Sequence, residues 1–374
     1  MLAEMALQPP RSARIPHLVS PASPQEAAGQ GWLDPSVAKN AEFQQAQRRY
    51  CTPQNPICLG VANPAVELLV FDLDDTLQPL YGVVANLNRS YLRRLGSANG
   101  LTLQQLTVSV TKLAAKNPDA VVHDAPQMVR HLFGENIAAK PHTQALLHDW
   151  QQEKRVAFAH GVDRTLGATA DYFRRGGTMQ AVLSNSPQTP LRERLFLIDS
   201  VLRQEGAPPL LSLFDAIACK PDPLGMTAPD YSRMTLQERV FQTALDQSGK
   251  FHVLPQKMRK DAGIGYIKTT LAQRHGLRHG IKFTAQVGDR VTDLSTAHAA
   301  GATAVWMTRS LLSPAEKVMM RYLGERQVAD SLQDAVGQFM AKPVAHPRIT
   351  PSRPHAIIGS IGYLRQIFQP SAPT

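Results

Sequence analysis

Five short apolar runs punctuate the middle of this chain: VELLVF at 66–71, QAVL at 180–183, LFDAIAC at 213–219, IKFTAQV at 281–287 and TAVWMT at 303–308. Each has the length of a strand. Their near-continuous apolar character suits strands covered on both faces, as in a parallel sheet. Helical patterns lie between them. DRTLGATADYFRRG (163–176) runs into Gly176-Gly177, and TDLSTAHAAGA (292–302) opens on a Thr/Asp cap and reaches Gly301. Strands alternating with helices predict an α/β fold, a doubly wound (Rossmann-like) parallel sheet. In such sheets ligands bind outside the carboxyl ends of the strands.

Two stretches break the alternation. Residues 78–162 read as all-helical, with ANLNRSYLRRLG, TLQQLTVSVTKLAAK, APQMVRHLFG and HTQALLHDWQQEK following one another. Inserted directly after the first strand, they predict a helical cap over that strand's end. Residues 221–258 are longer than one connecting helix requires and are expected to be a second insertion. The α/β core then comprises 65–77 and 163–335. Residues 1–64 are rich in Pro, Ala, Gln and Ser without a sustained period, which predicts a disordered segment. Residues 336–374 read as a Pro-rich basic tail, interrupted by IIGSIGYLRQIF. That patch suits docking on the body of the protein, on a partner protein or on a membrane surface, and the protein's own body is the preferred of the three.

The formal net charge of +10 on 374 residues suits an anionic partner. Aromatics make up only 6% and do not interleave with the basic residues, so nucleic acid is not expected. The three cysteines, Cys51, Cys58 and Cys219, are too few and odd in number for a disulfide framework. No Cys/His set completes a zinc site, and a reducing, cytoplasmic setting is expected. No run of about 18 apolar residues predicts a membrane span. The first 30 residues lack the apolar stretch of a secretory signal.

The chemistry is concentrated where apolar runs end. In FDLDDTL the first strand runs into Asp72, Asp74 and Asp75. Alternation along an extended turn lets Asp72 and Asp74 share one crevice while Leu73 points away. Like charges packed that closely call for a cation. A helix N-cap explains one aspartate but not two alternating ones. In AVLSNS the second run ends in Ser184 and Asn185, where a hydroxyl and nearby backbone N–H groups suit a phosphate oxygen; the same residues also make an ordinary turn. In QVGDRVTD, Gly288 permits a turn, and Asp289 and Asp293 add oxygen ligands of the kind magnesium takes.

Together these motifs resemble the haloacid-dehalogenase-like superfamily of phosphohydrolases, over about residues 66–310. FDLDDTL is similar to its first motif, VLSNS to its second and VGDRVTD to its fourth. The resemblance implies a phosphatase acting on a small phosphorylated substrate. Asp72 would attack phosphorus and Asp74 would protonate the leaving alcohol. Asp72, the main-chain carbonyl of Asp74, Asp289 and Asp293 would hold Mg2+, and Ser184, beside Asn185, would hold a phosphoryl oxygen. It also implies a lysine for the phosphoryl group, with two candidates. Lys220 follows a strand in ACKPDP. Lys260, in MRKDAGIGY, leaves room for one helix and one strand before Asp289, and this compact connection favours it. A protein phosphatase or a phosphomutase on the same core fits the motifs as well. A catalytically idle scaffold whose tails bind partners is the alternative from another class.

Overall fold

The computed structural model describes residues 57–58, 65–78, 80–116, 121, 123–224, 226, 234–307, 355–358 and 360–371. Strand β1 (Ile57–Cys58) is followed by β2 (Ala65–Val66) and β3 (Leu68–Phe71). The helices α1 (Tyr81–Ala98), α2 (Leu103–Lys116), α3 (Ala125–Phe133), α4 (Glu135–Ala138) and α5 (Pro141–His160) come next. Then α6 (Leu166–Arg175), β4 (Met179–Pro187), α7 (Gln188–Gln204), α8 (Leu210–Leu213) and β5 (Ala216–Lys220) return the chain to the sheet. They are followed by α9 (Leu236–Gln247), β6 (Phe251–Val253), α10 (Lys260–Arg274), β7 (Thr284–Gly288), α11 (Val291–Ala299) and β8 (Thr303–Met307). The described chain closes with β9 (Ala356–Ile358), a short 3-10 turn, α12 (Leu364–Ile367) and β10 (Gln369–Pro370).

The main sheet has eight strands in the order β1-β9-β8-β7-β3-β4-β5-β6, and every pairing is parallel except β1 with β9. From β3 the chain first winds outward through β4, β5 and β6. It then returns to the other side of β3 with β7 and β8. The reversal falls between β3 and β7, so their carboxyl ends open onto a crevice at the topological switch point. Leu68–Phe71, Ala216–Lys220 and Thr284–Gly288 are buried along their whole length, as the continuous apolar runs predict.

The five helices from α1 to α5 form a unit with its own apolar centre. Tyr91, Leu95, Leu106, Val110, Met128 and Trp150 pack there. Trp150 donates its indole N–H to Asn88 Oδ1 at 3.0 Å, and the Asn88 amide donates to the Val121 carbonyl at 3.0 Å, so these two buried polar side chains are satisfied. Asp124 caps α3 by accepting from the Gln127 N–H at 2.9 Å. A smaller cluster of Leu80, Val84, Phe158 and Leu197 joins the unit to α7. On its far side Arg155 reaches Glu238 Oε2 of α9 at 3.0 Å.

Two expectations change. Residues 221–258 include part of the sheet itself: α9 lies between β5 and the edge strand β6, which pairs parallel with β5. The strand was hidden because FHV is short and only partly buried. The tail is also not wholly a tail. Ala356–Ile358 pairs with β8, and Ile361, Leu364, Ile367 and Phe368 are fully buried in the main core. The IIGSIGYLRQIF patch therefore docks on the protein's own body. Asp163 fixes it there, accepting from the Ile361 N–H at 3.0 Å, and Thr165 Oγ1 accepts from the Gly362 N–H at 2.8 Å. The disorder expected for 1–64 concerns residues that, apart from Ile57 and Cys58, lie outside the described ones. Among the described residues no helix is long and apolar enough to cross a membrane.

Candidate active site

Three neighbouring strands deliver the site. Phe71, the last residue of β3, lies beside Val182 of β4 and Val287 of β7. The next residues along each chain are therefore Asp72 on one, Leu183 and Ser184 on another, and Gly288 and Asp289 on the third. The Asp72 N–H donates to the Val287 carbonyl at 2.8 Å, which fixes where its side chain starts. Gly288 is required by closeness: a Cβ there would stand 2.5 Å from the Asp293 side chain. The turn after Asp74 places Asp75 at φ 53°, a region aspartate tolerates better than most residues. Asp75 Oδ1 accepts from the Leu80 N–H at 2.8 Å, so this acid orders the turn.

Asp72, Asp289 and Asp293 offer carboxylate oxygens within 4.8 Å of one another. Lys260, the first residue of α10, lies between two of them. Its ammonium donates to Asp72 Oδ1 at 2.8 Å and to Asp293 Oδ1 at 2.6 Å. Asp293 also accepts from the Arg290 N–H at 3.2 Å at the start of α11. The Asp289 carbonyl accepts from the Trp306 indole at 2.8 Å, while its Oδ1 is buried without a hydrogen-bond partner among the described residues. Burial pushes Asp72 up to about 7, with Asp293 and Asp74 adding to the rise and Lys260 opposing it. Burial lifts Asp289 well above the ordinary carboxylate range too. Burial works against the Lys260 ammonium, but Asp293 and Asp72 outweigh it and hold the lysine charged. Lys260 and Arg290, whose Nε lies 3.9 Å from Asp289 Oδ2, are two cations against the three carboxylates, which leaves net negative charge. That surplus, the hard oxygen donors and the orphaned Asp289 Oδ1 fit a divalent cation such as magnesium.

Asp74 is buried beside this cluster but turned to other partners. Its Oδ1 is paired with the Arg194 guanidinium, and its Oδ2 accepts from the Ser186 hydroxyl at 2.8 Å. Burial alone would raise Asp74. Arg194, with His123 and Arg290 behind it, brings it below the ordinary range. His123 comes from the helical unit, and burial pushes its imidazole down to about 3.

Ser184 is buried at the kink where the β4 register shifts, and its Oγ accepts from the Ser186 N–H at 3.0 Å. Asn185 is exposed and is not bonded to the acidic cluster. Lys220 stands apart as well. Its ammonium donates to the carbonyls of Pro255, at 3.2 Å, and Met258. Lys220 thus braces the loop that leads into Lys260 and does not meet Asp72. Arg194, Gln78 and Ser186 are the additions that sequence reasoning missed. One signal was present: on α7, Arg194 occupies the spacing of the buried residues Leu191, Leu195 and Ile198, where a charge needs a partner.

No protein-family model matches the chain, and no curated protein matches it. Solved structures are similar to it at low identity. YfnB of Bacillus subtilis, described as a HAD-hydrolase bound to magnesium, is 14% identical, with 81% of this chain and 98% of that one covered and a TM-score of 0.35. A 2-haloacid dehalogenase from Pseudomonas syringae is 14% identical, with 81% and 97% covered and a TM-score of 0.37. A predicted phosphoglycolate phosphatase from Haemophilus somnus is 15% identical, with 81% and 97% covered and a TM-score of 0.35. Likeness at this level leaves the chemistry to be argued from the chain's own residues.

Proposed function

We propose that the protein is a magnesium-dependent phosphatase of small phosphate monoesters, working through an aspartyl-phosphate on Asp72. The observation that carries this is the cluster of Asp72, Asp289 and Asp293 at the switch point of the sheet, with the Lys260 ammonium bridging Asp72 and Asp293. Such a set suits a dianionic group presented to a carboxylate nucleophile, because phosphoryl transfer depends on alignment and on neutralising the equatorial oxygens. Asp72, Asp289 and Asp293, with the Asp74 carbonyl, would hold Mg2+. Bound there, the ion would supply positive charge to the phosphoryl oxygens.

An Asp72 carboxylate oxygen forms a bond to phosphorus as the bond from phosphorus to the ester oxygen breaks. Asp74, protonated on Oδ2 once the bound phosphate's negative charge offsets the pull of Arg194, gives that proton to the departing alcohol oxygen. Asp74 then takes a proton from water as the water oxygen bonds phosphorus and the acyl-phosphate bond to Asp72 breaks. Lys260 neutralises charge on Asp72 and the phosphoryl group throughout, and Ser184 holds a phosphoryl oxygen. The helical unit, which carries His123 towards Asp74, acts as the cap that admits the substrate and excludes bulk water.

The test is covalent. Acid-quenching the wild type during turnover of a radiolabelled phosphate ester should leave label on the peptide holding Asp72, with none retained by Asp72→Asn. Label on a histidine or serine peptide would overturn the assignment.

A further inference from the structure

Asp74 is held from both sides by residues to which the proposed chemistry gives no role. On one side is Arg194, 1% exposed, whose guanidinium has four separate engagements. It pairs with Asp74 Oδ1, donates through Nε to Gln78 Oε1 at 2.7 Å, donates through Nη2 to the Gln78 carbonyl at 3.2 Å, and lies 5.0 Å from the centre of the Phe158 ring. On the other side the Ser186 hydroxyl donates to Oδ2. A fully buried arginine is costly unless every donor is used, and this one spends its donors on a single short loop. Gln78 extends the network, donating its amide to the Phe158 carbonyl at 3.0 Å, where α5 ends and the chain returns to the core.

We infer that Arg194 and Ser186 form a clamp that sets the orientation of the Asp74 carboxylate for proton exchange with the leaving group. This rests on the proton-carrying role of Asp74 proposed above. Arginine carries only donors, so the oxygen it grips is committed to accepting. Oδ2 is then the oxygen that exchanges a proton, and the Ser186 hydroxyl, which can rotate, serves it in either state. Arg194 and Ser186 are positioning residues: they act through Asp74 and not on phosphorus. Because Gln78 bonds both Arg194 and the end of α5, the clamp is built against the junction with the helical unit.

A misaligned proton donor harms a poor leaving group more than a good one. The measurement is steady-state turnover of phenyl phosphate and of a nitrophenyl phosphate by wild type, Arg194→Lys, Ser186→Ala and Asp74→Asn. In Arg194→Lys, kcat should fall by about 10-fold or more on phenyl phosphate and by no more than about 3-fold on the nitrophenyl ester, with KM nearly unchanged on both. Ser186→Ala should show the same preference at smaller amplitude. Equal losses on both esters in Arg194→Lys, while Asp74→Asn remains selective, would overturn the clamp and leave Asp74 as proton carrier. If Arg194→Lys loses its native circular dichroism, the same comparison in Ser186→Ala decides. Losses in Asp74→Asn that do not depend on the leaving group would remove the proton-carrying role, and the clamp with it.

Discussion

At the scale of residues, the two lysines show what spacing can and cannot resolve. Lys220 closes β5 and Lys260 opens α10, and sequence alone kept both as candidates while favouring Lys260. The structure separates them: Lys260, the first residue of α10, donates to Asp72 and Asp293, while Lys220 is spent on the carbonyls of Pro255 and Met258. Lys260→Met should therefore lower phosphate release by about 100-fold or more. Lys220→Met should lose much less, and only through the loop it braces. The opposite ranking in a steady-state assay would exchange their roles. Asp72, Asp74, Asp289 and Asp293 were legible because apolar strands ending in acids are chemically conspicuous. Arg194 was less so. Its partner is 120 residues away in sequence, and only the β3–β4 pairing brings α7 over the Asp74 turn.

At the scale of elements, the central strands were readable because they are buried on both faces and carry no competing period. The edge elements were not. β6 is three residues long and partly exposed, and β9 follows a Pro-rich stretch whose composition argues for a tail. The apolar spacing inside IIGSIGYLRQIF was the part of that stretch that mattered. It seats Phe368 near Phe283, ring centres 6.3 Å apart, and buries Ile361 and Leu364 fully. Phe368→Ala should cost about 3–5 kcal/mol of unfolding free energy, as for other buried aromatics. Chemical denaturation measures this directly. A cost under about 1 kcal/mol would mean that the segment merely lies on the surface.

At the scale of the whole molecule, the acidic cluster couples fold stability to pH and, on the proposed function, to magnesium. Asp72, Asp75 and Asp289 have folded-state values above their unfolded ones. Such carboxyls bind more protons folded than unfolded, so their contribution to stability falls as pH rises, for Asp72 between the ordinary carboxylate range and about 7. Asp74 is shifted the other way. Its contribution is complete above the ordinary carboxylate range and is lost only on stronger acidification. His123, held down to about 3, makes stability rise with pH up to the ordinary histidine range. The melting temperature without magnesium therefore mixes opposing trends. The magnesium-induced increment isolates the cluster, since a cation binds ionised carboxylates. It should be larger at about pH 8 than at about pH 5. An equal or larger increment at the lower pH would place the binding elsewhere. The net charge of +10 complements the phosphorylated substrate proposed for the site.

The measurement that bears most directly on the central claim is release of inorganic phosphate from a generic aryl phosphate, with and without magnesium, by the wild type and by Asp72→Asn. The proposed mechanism predicts turnover by the wild type that requires magnesium and is abolished in Asp72→Asn. An Asp72→Asn protein as active as the wild type, or wild-type turnover indifferent to magnesium, would contradict it.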